Sequence, residues 1–137
     1  MTTTEASMIT GIHHLALTVT DVERSAAWYS ELLGMVQVIG DDADDVRYRI
    51  LAHPESGMVI GLRQYPAAGS GDAFDEMRTG LDHLAIGVDS AAAITAWETR
   101  LAELGIAYTP ATETPIGTVI VFRDPDNIQL EFWLPLA

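Results

Sequence analysis

The chain has 137 residues, of which 48% are hydrophobic, and its formal net charge is −13 because 20 acidic residues face seven basic ones, all of them arginine. This length and apolar content suit one domain with its own core, whereas the acidic surface disfavours nucleic acid and anionic membranes as partners. No apolar run reaches the about 18–20 residues of a membrane span, and the lack of cysteine excludes disulfides and thiolate sites and fits a cytoplasmic protein.

The first half of the chain predicts the element order β-α-β-β-β. The stretch GIHHLALTV at 11–19 has the pattern of a strand, and an amphipathic helix follows over 21–35. Asp21 is a suitable N-cap for this helix, and Gly34 lies where a glycine ends it. Three more strands are predicted at about 35–40, 46–52 and 58–64.

The second half repeats this order. GLDHLAIGV at 80–88 matches GIHHLALTV, so that His83 is equivalent to His14. A second helix over 89–106 follows, with Asp89 or Ser90 as its N-cap, and strands are predicted at about 106–110, 117–123 and 128–134. We therefore expect one domain that consists of a first module at 9–65, a linker at 66–80 with a short helix near 73–78, and a second module at 81–135.

Alternation along the strands divides each sheet into two faces. Leu15, Leu17 and Val19 share one face, and such aliphatic faces should pack on the helices, whereas His14 lies on the opposite face. We call this opposite face the cavity face, because a curved sheet would make it line a cavity. The other residues predicted on it include His83, Glu131 and five candidate substrate contacts, namely Arg47, Arg49, Gly61, Arg63 and Trp133.

The repeat brings candidate metal ligands together. If the two modules are related by an approximate two-fold axis, then His14, His83 and Glu131 converge near that axis, and Gly61 takes the position equivalent to Glu131. Two imidazoles and one carboxylate suit a divalent ion such as Fe(II), Zn, Mn, Ni or Co. An ion pair between Glu131 and Arg63 is the competing interpretation. His13 is predicted to point to the opposite face and His53 to lie in a turn, so neither is a predicted ligand.

The motifs HHLALTVTDVERSAAWYSELLG, GLDHLAIGV and RDPDNIQLEFW resemble the vicinal oxygen chelate superfamily, which is the glyoxalase, bleomycin resistance and extradiol dioxygenase group. The resemblance implies an α+β fold in which two β-α-β-β-β modules form a curved mixed sheet around a cavity, with the helices on its outer face. It places the metal positions of the family on His14, Gly61, His83 and Glu131. It also implies a homodimer that binds a small-molecule substrate.

The glycine at position 61 makes some of the activities known in this superfamily less compatible with the sequence than others. Glyoxalase I-like members carry a glutamate at this position and methylmalonyl-CoA epimerase-like members a glutamine, so both activities are disfavoured. Extradiol dioxygenases use the same three ligands with Fe(II), which favours dioxygenase-like chemistry over a lyase or isomerase reaction, although no acid–base residue can be assigned. The alternative is a metal-free binding protein that sequesters a drug-like molecule, as bleomycin-resistance members do.

Overall fold

The computed structural model describes residues 8–66 and 73–136. In the first half of the chain the elements are β1 (Leu15–Thr18), α1 (Val22–Leu33), β2 (Val36–Asp42), β3 (Arg47–Ala52) and β4 (Val59–Gln64). In the second half they are β5 (Leu84–Gly87), α2 (Ala91–Glu103), β6 (Tyr108–Thr114), β7 (Gly117–Arg123) and β8 (Gln129–Pro135). The predicted α+β class and the order of both β-α-β-β-β modules are confirmed, although β6 begins later and is longer than predicted.

The strands form two mixed sheets of four strands with the same internal order. The first sheet has the order β1-β4-β3-β2 and the second has the order β5-β8-β7-β6. In each sheet the strand before the helix pairs in parallel with the last strand of its module, and the other neighbours are antiparallel. Within the described residues β1 and β5 each have one unpaired edge, so the two sheets are not joined to each other.

Side chains at the predicted positions begin and end the helices. Asp21 accepts a hydrogen bond from the backbone N–H of Arg24 at 3.1 Å, and Ser90 accepts one from Ala93 at 3.1 Å. Both are N-caps that satisfy a free amide of the first helical turn. Helix α1 ends at Gly34, whose φ of 69° is the left-handed conformation that glycine adopts without steric cost.

One hydrophobic core serves both sheets. Aliphatic residues of the first sheet, such as Leu62, and Phe132 of the second are fully buried in it. The ring of Trp28 on α1 lies 6.3 Å from the ring of Phe122 on β7, and Trp97 on α2 stacks on Phe132 at 4.2 Å. Helix α1 therefore packs not only on its own sheet but also against the helix-bearing face of the other sheet.

Polar contacts join the two modules next to this core. The Tyr29 hydroxyl donates a 2.8 Å hydrogen bond to Asp124, and Asp126 accepts hydrogen bonds from the hydroxyl and the backbone N–H of Thr20. Burial raises the pKa of Tyr29 and also that of Asp124. Because the helix-bearing faces share one core, the cavity faces of the two sheets point away from it.

The predicted face of β3 is wrong. In the β3–β4 pair Leu51 lies opposite Ile60, and both residues are buried in the core. Residues that oppose each other in an antiparallel pair share a face, so Leu51, Arg49 and Arg47 lie on the helix side of the sheet. Tyr48 occupies the cavity face instead, together with Ile50.

The segment between the modules is only partly described. Residues 67–72 of the predicted linker lie outside the described residues. The helix predicted near 73–78 is not formed in its described part, where residues 76–80 make turns and bends. None of the described helices is long and apolar enough to cross a membrane.

Candidate metal centre

Two of the three predicted ligands lie side by side in the second module. His83 Nε2 is 3.5 Å from Glu131 Oε1, and the exposed fractions of the two side chains are 41% and 13%. The carboxylate is therefore largely enclosed, whereas the imidazole borders solvent. The sequence suggested Arg63 as an alternative, ion-pair partner of Glu131, but the two side chains form no ion pair within the described chain.

Parallel pairing of β5 with β8 places these ligands on one face. Ala85 lies opposite Glu131 in the ladder, and His83 precedes Ala85 by two residues, so alternation gives the three side chains the same face. Leu130 and Phe132, which flank Glu131, are completely buried. They hold the strand on the core, and Glu131 must project from the cavity face.

A chain of polar contacts supports His83 from the side opposite Glu131. Asp82 Oδ1 lies 2.6 Å from His83 Nδ1 and also accepts a 3.2 Å hydrogen bond from Gln129 Nε2. Arg123 donates to Gln129 Oε1 at 3.1 Å and to both oxygens of Glu76 at 2.8 and 2.9 Å. A carboxylate on one ring nitrogen fixes the orientation of a histidine and leaves the other nitrogen for a metal ion. We call Asp82, Gln129, Arg123 and Glu76 the support chain.

The outer end of the support chain is an ion pair. Hydrogen bonds from Arg123 lower the pKa of Glu76 from 4.5 to about 2, and the same bonds raise the pKa of Arg123. Both groups therefore remain charged around neutral pH. The Arg123 guanidinium therefore forms its ion pair with Glu76 and not with Glu131.

His14 lies apart from the other two ligands. It precedes β1 on the first sheet, and its Nδ1 lies 2.8 Å from Nδ1 of His13, with the rings edge to face. His13 is thus beside His14 and not on the opposite face as predicted. Among the described residues, no three His, Asp or Glu side chains are close enough to hold one metal ion. One chain therefore does not bring His14 to His83 and Glu131.

A wide groove runs between the free edges of the two sheets. Its volume is about 980 Å³, and its walls include His14 on one side and Ala85 and Gly87 of β5 on the other. The turn that contains His53, whose Nδ1 is hydrogen bonded to Ser56 at 2.7 Å, forms one end.

Three of the predicted substrate contacts lie on the cavity faces. Gly61 is opposite Ala16 in the first sheet, and Arg63 lies two residues further along β4. Trp133 follows Glu131 by two residues on β8 and pairs with Gly87. Gly61 and Arg63 therefore share a sheet face with His14, and Trp133 shares one with Glu131.

Arg47 and Arg49 lie elsewhere. Arg47 is 3.0 Å from Glu23 on α1, and Arg49 is 2.7 Å from Asp42. The hydrogen bonds from Arg49 and then Arg47 lower the pKa of Asp42. These arginines pair with acidic groups on the helix side of the sheet, although Arg49 is also among the residues that line a small recess on the first sheet.

The support chain was not predicted from the sequence. Asp82 replaces His13 in the repeat, and this difference next to two equivalent histidines was the available signal. Gln129 lies on the same strand face as Glu131, so alternation places it near the ligands. No sequence signal connects Glu76 to Arg123, because they come from different segments that only the fold brings together.

Comparisons with known proteins agree with this architecture. A family model described as "Glyoxalase/Bleomycin resistance protein/Dioxygenase superfamily" matches residues 11–132. A curated relative, the uncharacterized protein YwkD of Bacillus subtilis (strain 168), is 31% identical over 130 residues, which cover 92% of this chain and 98% of YwkD.

Solved structures show the same fold. A glyoxylase/bleomycin resistance protein/dioxygenase domain from Frankia sp. EAN1pec is 39% identical, with a TM-score of 0.85 and 93% of each chain covered. A mutant of the fosfomycin resistance protein FosX from Listeria monocytogenes, complexed with Mn(II) and 1S,2S-dihydroxypropylphosphonic acid, is 20% identical, with a TM-score of 0.70. The match covers 92% of this chain and 90% of the FosX chain.

Proposed function

Because the chain belongs to the glyoxalase/bleomycin resistance protein/dioxygenase superfamily, we propose that it is a divalent-metal-dependent enzyme that acts on a small, oxygen-rich organic substrate. The observation that carries this proposal is the His83–Glu131 pair, at 3.5 Å on a cavity face, with Asp82 behind the imidazole. An imidazole, a carboxylate and a supporting carboxylate are the groups that a borderline divalent ion selects.

The third ligand in this proposal is His14 of a second copy of the chain. The cavity faces of the two sheets point away from their shared core, so the two halves of the site cannot close on each other within one chain. A two-fold homodimer would place the first sheet of each copy against the second sheet of its partner. The free edges of β1 and β5 and the groove between them support this arrangement.

The donor set fits Fe(II), Zn, Mn, Ni or Co. Two histidines and one carboxylate leave coordination positions open, and Gly61 adds no fourth ligand. When bound, the ion would act as a Lewis acid toward two neighbouring oxygens of the substrate. The chain itself contributes the orientation of His83 through Asp82 and the negative charge of Glu131, and Trp133 supplies an apolar wall.

Among reaction classes, dioxygenase-like chemistry is favoured over a lyase or isomerase reaction. A reaction that moves a proton between carbon atoms needs a base close to the substrate. On the first sheet, Gly61 occupies the position equivalent to Glu131 and lies opposite Ala16, so this position offers no carboxylate base. A substrate that carries its own acidic hydroxyl groups, such as a catechol, needs less help from such a base.

Metal analysis tests the proposal. The protein is treated with a chelator, reconstituted separately with each of the five metals and analysed by elemental mass spectrometry. We expect about one ion per chain, and Glu131→Gln should lower the metal affinity at least about tenfold because a neutral amide is a poorer ligand. Glu113→Gln is the matched control, because Glu113 is an exposed residue of β6 on the same sheet.

The alternative function predicts a different result. A protein that sequesters a drug-like molecule without chemistry would bind none of the metals with a defined stoichiometry. Its Glu131→Gln variant would then resemble the wild type. Either result would contradict the metalloenzyme proposal. If metal binds, oxygen consumption with catechols and conversion of 2-oxoaldehydes or acyl-CoA esters distinguish the reaction classes.

A further inference from the structure

Arg63 differs from most other arginines of this acidic chain. Carboxylates lie within 4 Å of four arginines, and a backbone carbonyl accepts a hydrogen bond from a fifth; these residues are Arg24, Arg47, Arg49, Arg123 and Arg100. In the described part of the chain, Arg63 has no carboxylate within that distance although acidic residues outnumber arginines 20 to seven. Its guanidinium is therefore available to a ligand.

The position of Arg63 is fixed by its neighbours on the cavity face. In the ladder Arg63 lies between Thr18 on β1 and Tyr48 on β3. The guanidinium carbon lies 5.7 Å from the centre of the Tyr48 ring, which is the range of a cation–π contact. The ring holds the cation over the sheet without neutralising it, as a carboxylate would.

Next to Arg63 is a small recess with a volume of about 180 Å³. Its lining includes His14, Ala16, Tyr48, Gly61 and Arg63. A Cβ atom added at Gly61 would lie 3.5 Å from Cβ of Ala16, so these two small residues form a low floor. This floor leaves space for a few carbon atoms between the histidine and the arginine.

The recess has a candidate metal ligand at one end and a free cation at the other. His14 is level with Val59 in the parallel β1–β4 register, and Arg63 lies four residues further along the strand. This places the two backbone positions about 13 Å apart along the strands. A molecule of modest length can therefore reach both groups.

We propose that Arg63, held by Tyr48, binds an anionic group at the end of the substrate that is distant from the metal. This inference rests on the proposed function and adds a substrate class, namely small organic acids with two vicinal oxygens, a short carbon spacer and a terminal carboxylate. The planar guanidinium forms two parallel hydrogen bonds with a carboxylate. A local cation is needed because a net charge of −13 repels an anionic ligand from most of the surface.

A series of catechol carboxylates tests the inference. Acids that differ in the number of methylene groups between ring and carboxylate are titrated calorimetrically into the metal-loaded protein, and the tightest acid is compared with its neutral amide. We expect the acid to bind at least about tenfold more tightly than the amide. The corresponding phosphonate shows whether the recess prefers a carboxylate or a tetrahedral anion.

The variant Arg63→Gln should remove this preference, so that the acid and the amide bind equally. Arg78→Gln is the control because Arg78 is an exposed arginine that also lacks a carboxylate within 4 Å in the described chain, and it should keep the preference. An unchanged preference in Arg63→Gln would overturn the inference. Loss of bound metal in Arg63→Gln would also overturn the inference, because that result would mean that Arg63 interacts with the carboxylate of Glu131 of the partner subunit.

Failure of the proposed function gives a different pattern. If the neutral amide binds equally well with and without metal, the metal does not contact the vicinal oxygens, and the proposed function fails. The preference for the acid over the amide can still be measured in the metal-free protein. Its dependence on Arg63 then decides the anion site separately.

Discussion

The two modules share one fold but hold different parts of the candidate site. In the second module His83 contacts Asp82 on one side and Glu131 on the other, so two candidate ligands lie next to each other. In the first module His13 replaces Asp82, and Gly61 replaces Glu131. The two modules thus keep the same backbone but differ in chemistry: the second holds two candidate metal ligands, and the first holds one candidate ligand and a recess.

The difference between Asp82 and His13 gives the largest expected effect. Asp82→Ala removes the carboxylate that orients His83, and we expect metal affinity to fall about 10–100-fold. His13→Ala should have a smaller effect, because a carboxylate forms a stronger hydrogen bond to an imidazole than another imidazole does. Competition titration with a chromophoric chelator measures both variants. Equal losses would show that the two modules support their histidines equally and would remove the contrast.

A substitution at Gly61 can make the first module more similar to the second, which has Glu131 at the equivalent position. Gly61→Glu restores a carboxylate at the position equivalent to Glu131, and the atom nearest to the added Cβ is Cβ of Ala16, at an ordinary contact distance of 3.5 Å. A fourth ligand should tighten Zn or Ni binding about tenfold while it closes an open coordination position. Gly61→Leu, which adds a side chain without a donor atom, is the control. An unchanged affinity in the glutamate variant would mean that Gly61 does not face the ion.

The ion pair at the end of the support chain predicts a smaller, pH-dependent effect. The pKa of Glu76 is about 2 in the folded protein instead of 4.5, so its contribution to stability is complete above pH 4.5 and is lost as the pH falls toward 2. Solvent screening keeps this contribution modest. Glu76→Gln should therefore lower the thermal midpoint near neutral pH and converge with the wild type near pH 2. A constant difference across this range would exclude the ion pair as the cause.

Much of the fold could be predicted because its signals are local or repeated. The Asp21 and Ser90 caps, the Gly34 stop and the apolar stripes determine the helices, and the repeated strand reveals the second module. The alternation of side chains along β8 also predicted that Glu131 lies on the other face of the strand from Leu130 and Phe132. Alternation groups side chains by face, however, and does not tell which face is inward.

That limitation explains the error on β3. Tyr48 and Ile50 are apolar enough to suggest a core face, and Arg47 and Arg49 suggest an exposed one, but the buried Leu51 shares the face of the arginines. The arginines are tolerated there because Glu23 and Asp42 pair with them. Contacts of this kind, like that between Glu76 and Arg123, depend on distant parts of the chain and have no local pattern.

The central claim, that each site takes His14 from one copy and His83 with Glu131 from the other, is tested most directly by subunit complementation. His14→Ala and Glu131→Gln homodimers should each bind metal poorly, because every site lacks one ligand. After unfolding and refolding as an equimolar mixture, half of the dimers are mixed, and each of these contains one intact site. The account predicts recovery of about a quarter of the wild-type metal content. No recovery, with the mixed dimers verified by mass spectrometry, would contradict a site shared between two chains.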